Sequence, residues 1–329
     1  HCSFSWSVDE VLSLYDNVNT TVQWSIASES MLMTTHQKGR HGYGGIWGGR
    51  NSTYHHNLLA HNASRNPRFP TDKKQIDAVE MTNNVIYNWG FFSSYGGGEG
   101  SYNVLNNYYK YGPNTYKDVR SQIFVDVGSK KYKTRIYIGG NYMYGNESVT
   151  QDNWQLGTSI GSIIDPSTRL AEPIEVRGEY DNGISPDAYG PYQATDAQTA
   201  YTEVLAGSGA TLPRRDAVDA RIMNDVKNGT GAFINSPREA GWIYDDYSVT
   251  TTELTDSDHD GIPDEWERAH GLDPNNADDR NGQELAGTGE YAHFAKGYTN
   301  LEVYLNDLIE KLSNGSEVDN PEALVQVSD

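Results

Sequence analysis

The chain has 329 residues, enough for one large domain or two ordinary ones with a substantial buried core. Its formal net charge of −20 excludes a general nucleic-acid binder, which needs a basic face against phosphate. No apolar run approaches the roughly 18 residues that span a bilayer, so a soluble protein is expected.

The 33 Gly and 23 Tyr, with abundant Asn and few long aliphatic runs, suit short strands joined by tight polar turns. The opening stretch HCSFSWSVDEVLSLYD alternates like the middle of a domain, without the polar slack of a terminus or the pattern of a leader. An N-terminal portion of the same fold is therefore expected to precede it. Cys2 is the single cysteine, which leaves no internal disulfide. It is expected to be buried as a small hydrophobe, with pairing to something upstream as the alternative.

Residues 1–145 repeat loosely. STYHHNLLAH, MTNNVIYNWG, SYNVLNNYYK and RIYIGGNYMY each set alternating apolar residues beside Asn, before a turn containing Gly or Pro. The reference residues Asn57, Asn84, Asn107 and Asn141 stand 27, 23 and 34 positions apart. Recurrence at about 20–50 residues signals a solenoid, whereas a β-sandwich repeats its strands about every 8–12. Short strands without helical connectors predict a parallel β-helix, with Asn side chains stacked as ladders at the turns.

From 146 to 190 the pattern dissolves into polar sequence, read as loops wrapping the solenoid. Helices are predicted over 195–209, with Thr195 or Asp196 as N-cap and Gly207 as stop, and over 214–231. The second places Ala217, Val218, Ile222 and Val226 on one stripe and ends at Asn228–Gly229. Further helices are predicted over 264–272 and 300–312. Between 245 and 290 fourteen Asp and Glu face two Arg, so an acidic module closes the chain. The predicted organisation is a β-helix carrying the groove over 1–145, wrapping loops and helices over 146–250, and an acidic calcium-loop and helix module over 251–329.

Within that module DSDHDGIPDEWE fits the D-x-[DN]-x-[DN]-G-x5-E calcium loop without a mismatch. Asp256, Asp258 and Asp260 stand at alternate positions, Gly261 allows the tight turn, and Glu267 closes the loop. The Ile262 carbonyl and Asp264 are expected to complete an oxygen shell of Ca²⁺ size, structural more than sensory. A solvated acidic loop is the alternative.

A basic island lies at the other end. Between 36 and 74, Lys38, Arg40, Arg50, Arg65, Arg68, Lys73 and Lys74 face Asp72 alone. Such an island in an acidic protein suits an anionic ligand. Arg65 and Arg68, set by Pro67, are expected to converge as two guanidinium forks matched to carboxylates, while Lys73 and Lys74 read as solvated charge. His36, His41, His55, His56 and His61 crowd the same region. With His55 and His56 on opposite faces of a strand, hydrogen-bonding or packing roles are favoured over zinc. Asp9 and Glu10 are adjacent carboxylates that could hold Ca²⁺ or simply be solvated. Six N-x-S/T sequons, at Asn19, Asn51, Asn62, Asn146, Asn228 and Asn314, fit a secreted glycoprotein.

Together these segments resemble polysaccharide lyase family 1, the pectate lyases. HCSFSWSVDE is similar to the family's W-I-D-H-C-S segment and the acidic stretch after it. HQKGRHGYGGIWGG is similar to its His-x-Lys segment, and HHNLLAHNASRNPRF to its strand ending in R-x-P-R. VIYNWG, YNVLNNYYK, LPRRDAVDARI and the D-x-D-x-D-G tail extend the likeness over nearly the whole chain.

The resemblance implies a right-handed parallel β-helix, all-β with a helical C-terminal extension and its first coils missing. It also implies β-elimination of a uronate polymer. Arg65 would be the base taking the carbon-5 proton. Lys38 and Arg68 would bind uronate carboxylates, with His36 and Arg40 beside them, and Asp9 with Glu10 would contribute to catalytic Ca²⁺. An arginine, whose ordinary pKa lies above about 12, serves as a base only among cations and when desolvated.

The family commonly has D-G-L-x-D where this chain reads Asp9-Glu10-Val11-Leu12-Ser13. Ser13 therefore replaces the second Asp, and the shell is weaker or uses Glu10. The expected protein is a secreted, extracellular, monomeric pectate lyase acting on polygalacturonate. The alternatives are a non-catalytic acidic-glycan-binding solenoid, and a glycoside hydrolase on the same fold. The hydrolase would need paired carboxylates about 5–9 Å apart.

Overall fold

In the computed structural model, the described residues are 1–70, 77–98, 100–125, 134–155, 169–174, 194–212, 214–241, 249–250, 254–294, 296–313 and 326–327. The chain divides into two compact units, His1–Val176 with Ala194–Asp245, and Arg177–Gln193 with Asp246–Asp329. Asp72, Lys73, Lys74, the Asn314 sequon and most of the predicted wrapping loops lie outside the described residues.

The first unit is a parallel β-helix. One sheet stacks Ser3–Ser5, Ile26–Ser28, Leu58–Ala60, Val85–Tyr87, Tyr108–Lys110 and Tyr142–Met143. A second stacks Val18–Gln23, Arg50–His55, Ala78–Thr82, Ser101–Leu105 and Arg135–Gly139. A third stacks Arg68–Phe69, Ser94–Gly96 and Phe124–Val125. All pairs in these sheets are parallel. Successive coils thus add one strand to each sheet in turn.

The turn between the second and first sheets explains why Asn recurs. A residue with positive φ (Trp24, His56, Asn83, Asn106, Gly140) bends the chain. The next residue then enters the ladder. The backbone N–H of Ser25 donates to Asn57 Oδ1, Asn57 to Asn84, Asn84 to Asn107 and Asn107 to Asn141, each at 2.9 Å. Asn141 donates in the same way to Asn153 Oδ1 at 2.8 Å, beyond α1 (Glu147–Gln151). A buried turn must satisfy its backbone groups, and the carboxamide supplies both donor and acceptor.

Strand alternation splits the apolar residues between two cores. Leu59, Ile86 and Tyr109 face the inside of the coil with Trp47, Tyr54, Phe69, Met81 and Tyr102. Leu58, Ala60, Val85 and Tyr87 face outward, under α2 (Ala197–Gly207) and α3 (Ala217–Asn228). Asp196 caps α2 and Gly229 ends α3 in the left-handed region, as the sequence signals, while Asp216, inside the predicted helix, is the N-cap of α3. Lys110 Nζ donates to the Val226 carbonyl at 2.6 Å, so a cation meets the last turn of α3. Arg221 of α3 forks onto buried Glu29 at 2.7 and 2.9 Å.

In the second unit, α4 (Asp264–His270) and α5 (Asn300–Ser313) fall where predicted. Ala286, Tyr291, Phe294 and Val303 form its core, with Trp266, Leu285 and Tyr298 packed against them. Among the described residues no helix is long and apolar enough to cross a membrane.

Several expectations change. Cys2 is exposed, because it precedes Ser3–Ser5, the edge strand of its sheet. Ala217 is exposed, and Met223 replaces it on the buried stripe. His56 has positive φ just past the strand end, so it leaves the alternation and its Nδ1 lies 2.9 Å from that of His55. Two sequons are internal: Asn62 is fully buried, and Asn51 is 6% exposed with its amide on Asn19.

Two measurements probe this scaffold. Asn84→Ala leaves buried partners above and below without hydrogen bonds and should cost about 2–4 kcal/mol by chemical denaturation. The same change at exposed Asn224 should cost little. His61 is fully buried, and burial drives its pKa from 6.5 down to about 4. The unfolded chain therefore binds this proton more tightly, so the stability present above pH 6.5 is lost as pH falls towards 4. His61→Gln should flatten the pH dependence of the denaturation midpoint in that window; an unchanged slope would contradict the assignment.

Candidate active site

Three chain segments run side by side where the coils turn toward the third sheet. Parallel bridges join Glu10 to Tyr43 and Tyr43 to Ser64, and also Leu14 to Trp47 and Ile46 to Arg68. The glycines of GYGGIWGG allow the close approach. A Cβ at Gly44 would overlap the Arg65 carbonyl oxygen, and one at Gly45 the Leu12 carbonyl oxygen. Residues distant in sequence (Glu10, Tyr43, Arg65) thereby become neighbours.

Arg65 sits at φ +58 before the cis Asn66–Pro67 peptide, and its carbonyl accepts from Gly45 N–H at 2.8 Å. Its guanidinium is 12% exposed, pairs with Glu10, and lies 3.5 Å from Asp9 Oδ1. The Tyr43 ring lies beneath it, 4.6 Å from Cζ to centroid. Asp9 Oδ1 also faces His41 Nε2 at 2.9 Å, and Asp9 Oδ2 faces His36 Nε2 at 3.8 Å. The two imidazoles stack at 4.3 Å.

Burial lowers the His41 pKa below its ordinary value, opposed by Asp9 and reinforced by His36 and Lys38. Burial, with Tyr95 and Asp9 adding to it, raises that of Tyr43. Both side chains are thus held uncharged at neutral pH, beside a cluster of fixed charges.

The structure brings Asp9, Glu10, His36 and Arg65 together. Lys38 and Arg40 are exposed on the loop carrying His36 and His41, with Lys38 N–H donating to His36 Nδ1 at 3.2 Å. Arg68 lies in the third sheet, half-buried and bridged to Ile46. Ser13, which stands where the resemblance puts a second Asp, uses its Oγ to accept from Ile46 N–H at 2.9 Å.

The carboxylates of this site are those of Asp9 and Glu10, and Asp9 also brings a ligand oxygen within 4.8 Å of ring nitrogens of His36 and His41. The carboxylate oxygens are fewer than the six to eight oxygens Ca²⁺ takes, so water or a substrate carboxylate would have to supply the rest. Sequence reasoning missed Tyr43 as the face beneath Arg65 and His41 as the partner of Asp9. A lone Tyr within a glycine run was the available signal.

His55, His56 and His61 stand apart from the charged cluster. His56 stacks on Trp24 at 4.1 Å and faces Glu203 at 3.2 Å, while Asn88 meets His61 Nδ1 at 2.9 Å.

The second unit holds a different cluster. Asp256, Asp258 and Asp260 bring ligand oxygens within 4.8 Å of one another, as do Asp260, Glu267 and Asp279. Asp256 also bends the loop, accepting from Asp260 and Gly261 N–H. Ile262 is buried, and its N–H donates to Asp260 Oδ1 at 2.7 Å. Asp264 is held within the loop: Oδ1 accepts from Ser257 N–H at 2.7 Å, and Oδ2 accepts from Ser257 Oγ and Arg268 Nη2. Burial and the surrounding carboxylates push Glu267 up to about 7. Crowded buried carboxylates of this kind suit a hard divalent cation.

No family model matches the chain. It is 31% identical over 318 residues to a protein of Aspergillus flavus named probable pectate lyase C, covering 94% of this chain and 64% of that protein. The Aspergillus oryzae protein of the same name gives the same identity and coverage. That of Emericella nidulans is 30% identical over 314 residues, covering 94% of this chain and 63% of its own. The chain thus spans somewhat less than two thirds of the curated relatives it matches, and its likeness to proteins named probable pectate lyase C runs through both units.

Proposed function

We propose that this chain is the catalytic part of a secreted pectate lyase. It cleaves α-1,4-linked polygalacturonate by calcium-assisted β-elimination, leaving 4,5-unsaturated ends. The observation that carries this reading is the cluster of Arg65 with Asp9 and Glu10, fixed by the glycine-dependent stacking of three coils.

In the proposed reaction the Arg65 side chain, in its uncharged form, takes the carbon-5 proton, and a carbon-4 to carbon-5 double bond forms. The carbon-4 to oxygen bond breaks with its electron pair on the leaving oxygen, which takes a proton from water. Removing that proton concentrates negative charge beside the uronate carboxylate. Lys38, Arg68, His36 and Arg40 are assigned to bind and stabilise it. Ca²⁺ on Asp9 and Glu10 would supply further positive charge at that carboxylate. The carboxylates that now pair with Arg65 would then be engaged elsewhere, leaving the Arg65 side chain to face the substrate.

The 256–267 loop is assigned a structural Ca²⁺, and the active unit is a monomer. Exposed Asn19 and Asn228 are the sequons best placed for glycosylation.

A second reading, a non-catalytic solenoid that binds acidic glycans, draws on the Ser13 hydroxyl, which is bonded to backbone. The two are separated by following the ultraviolet absorbance of unsaturated uronate in full-length protein with polygalacturonate and excess Ca²⁺. Arg65→Lys should lower kcat by at least about 10²–10³-fold with KM little changed. Tight binding without product by the wild type selects the second reading.

A further inference from the structure

The cation loop of the second unit is incomplete within its own motif. Loop position 9 belongs to Asp264, whose two oxygens are held by Ser257 and Arg268. Yet Glu267 is fully buried with both carboxylate oxygens lacking a hydrogen-bond partner. Asp260 is 2% exposed with Oδ2 in the same state, and both oxygens of Asp258 are buried without a donor.

Another carboxylate reaches this group from outside the motif. Asp279 lies in the turn Asp279–Asn281, and its Oδ2 accepts from Asp273 N–H at 2.9 Å. Its Oδ1 is buried with no donor, and one of its carboxylate oxygens lies within 4.8 Å of ligand oxygens of both Asp260 and Glu267. Bringing three carboxylates this close, with Glu267 given no donor and one oxygen each of Asp260 and Asp279 unsatisfied, is costly unless a cation sits among them. The donors are all oxygen, which selects a hard cation over zinc or copper.

We propose that Asp279 is a direct ligand of the cation in this loop, taking the place that the motif gives to Asp264. The inference rests on reading 256–267 as a calcium loop and adds a ligand that the motif does not contain. The site becomes a two-segment clamp. Arg280 Nη1 donates to the Asp260 carbonyl at 3.0 Å, and Asn300 Nδ2 donates to the Asp279 carbonyl at 2.7 Å. Asn300 is the first residue of α5, so filling the site ties the loop before α4 to the start of α5.

The test titrates Ca²⁺ into the full chain by calorimetry after chelation and follows its thermal midpoint, for Glu267→Gln, Asp279→Asn, Asp279→Glu and Asp264→Asn. Asn at 279 keeps an oxygen for the Asp273 N–H, and circular dichroism without Ca²⁺ checks each fold. Glu267→Gln and Asp279→Asn should each weaken one calcium-binding event at least about tenfold and shrink its thermal shift. Asp264→Asn should leave that affinity within about twofold. Asp279→Glu, which retains the charge, should fall between, and it answers the question should the Asn variant misfold. Loss in Glu267→Gln with wild-type affinity in both Asp279 variants would overturn the Asp279 assignment and leave the loop reading standing. Wild-type affinity in Glu267→Gln as well would overturn both.

Discussion

The hydrogen bond from each turn N–H to the asparagine carbonyl one coil further on is the constraint on which the first unit depends. It fixes the vertical register of coils that share no helical connector. A slip of one residue would turn every inward side chain outward. Because Asn57, Asn84, Asn107, Asn141 and Asn153 hold that register, Leu59, Ile86 and Tyr109 meet inside while their neighbours meet α2 and α3 outside. The same stacking brings Glu10, Tyr43 and Ser64 level, and with them the charged side chains of the candidate site.

The two units handle negative charge in opposite ways. In the first, Asp9 and Glu10 are set against a largely buried guanidinium over an aromatic face. There the protein's own guanidinium offsets the carboxylates. In the second, Asp258, Asp260, Glu267 and Asp279 converge with buried oxygens that no donor satisfies. There a bound cation would supply the positive charge. The acidity of the whole chain is compatible with a local basic region, because seven of its 25 Lys and Arg fall within 36–74 against Asp72 alone.

Much of the scaffold was legible because local chemistry and the global fold agree. The Asn spacing, the cap Asp196 and the stop at Gly229 each report a backbone need that only a few residue types meet. The helical stripe was read one position wrong, since an exposed alanine and a buried methionine differ through tertiary packing alone. His55 and His56 misled because the left-handed turn at His56 ends the alternation before the histidines do. Arg65 could be singled out from sequence, but its contact with Glu10 could not. That contact depends on glycines that let three segments pass, and the partners stand 55 positions apart. Asp279 was invisible for the same reason, lying beyond the motif it completes.

Elimination at the Arg65 cluster is the proposed reaction. Mass spectrometry of the ends released from oligogalacturonate by full-length protein with Ca²⁺ tests it most directly. Elimination predicts a new non-reducing end lighter by one water than the hydrolytic product. Saturated ends, or intact oligomer bound without cleavage, would contradict it.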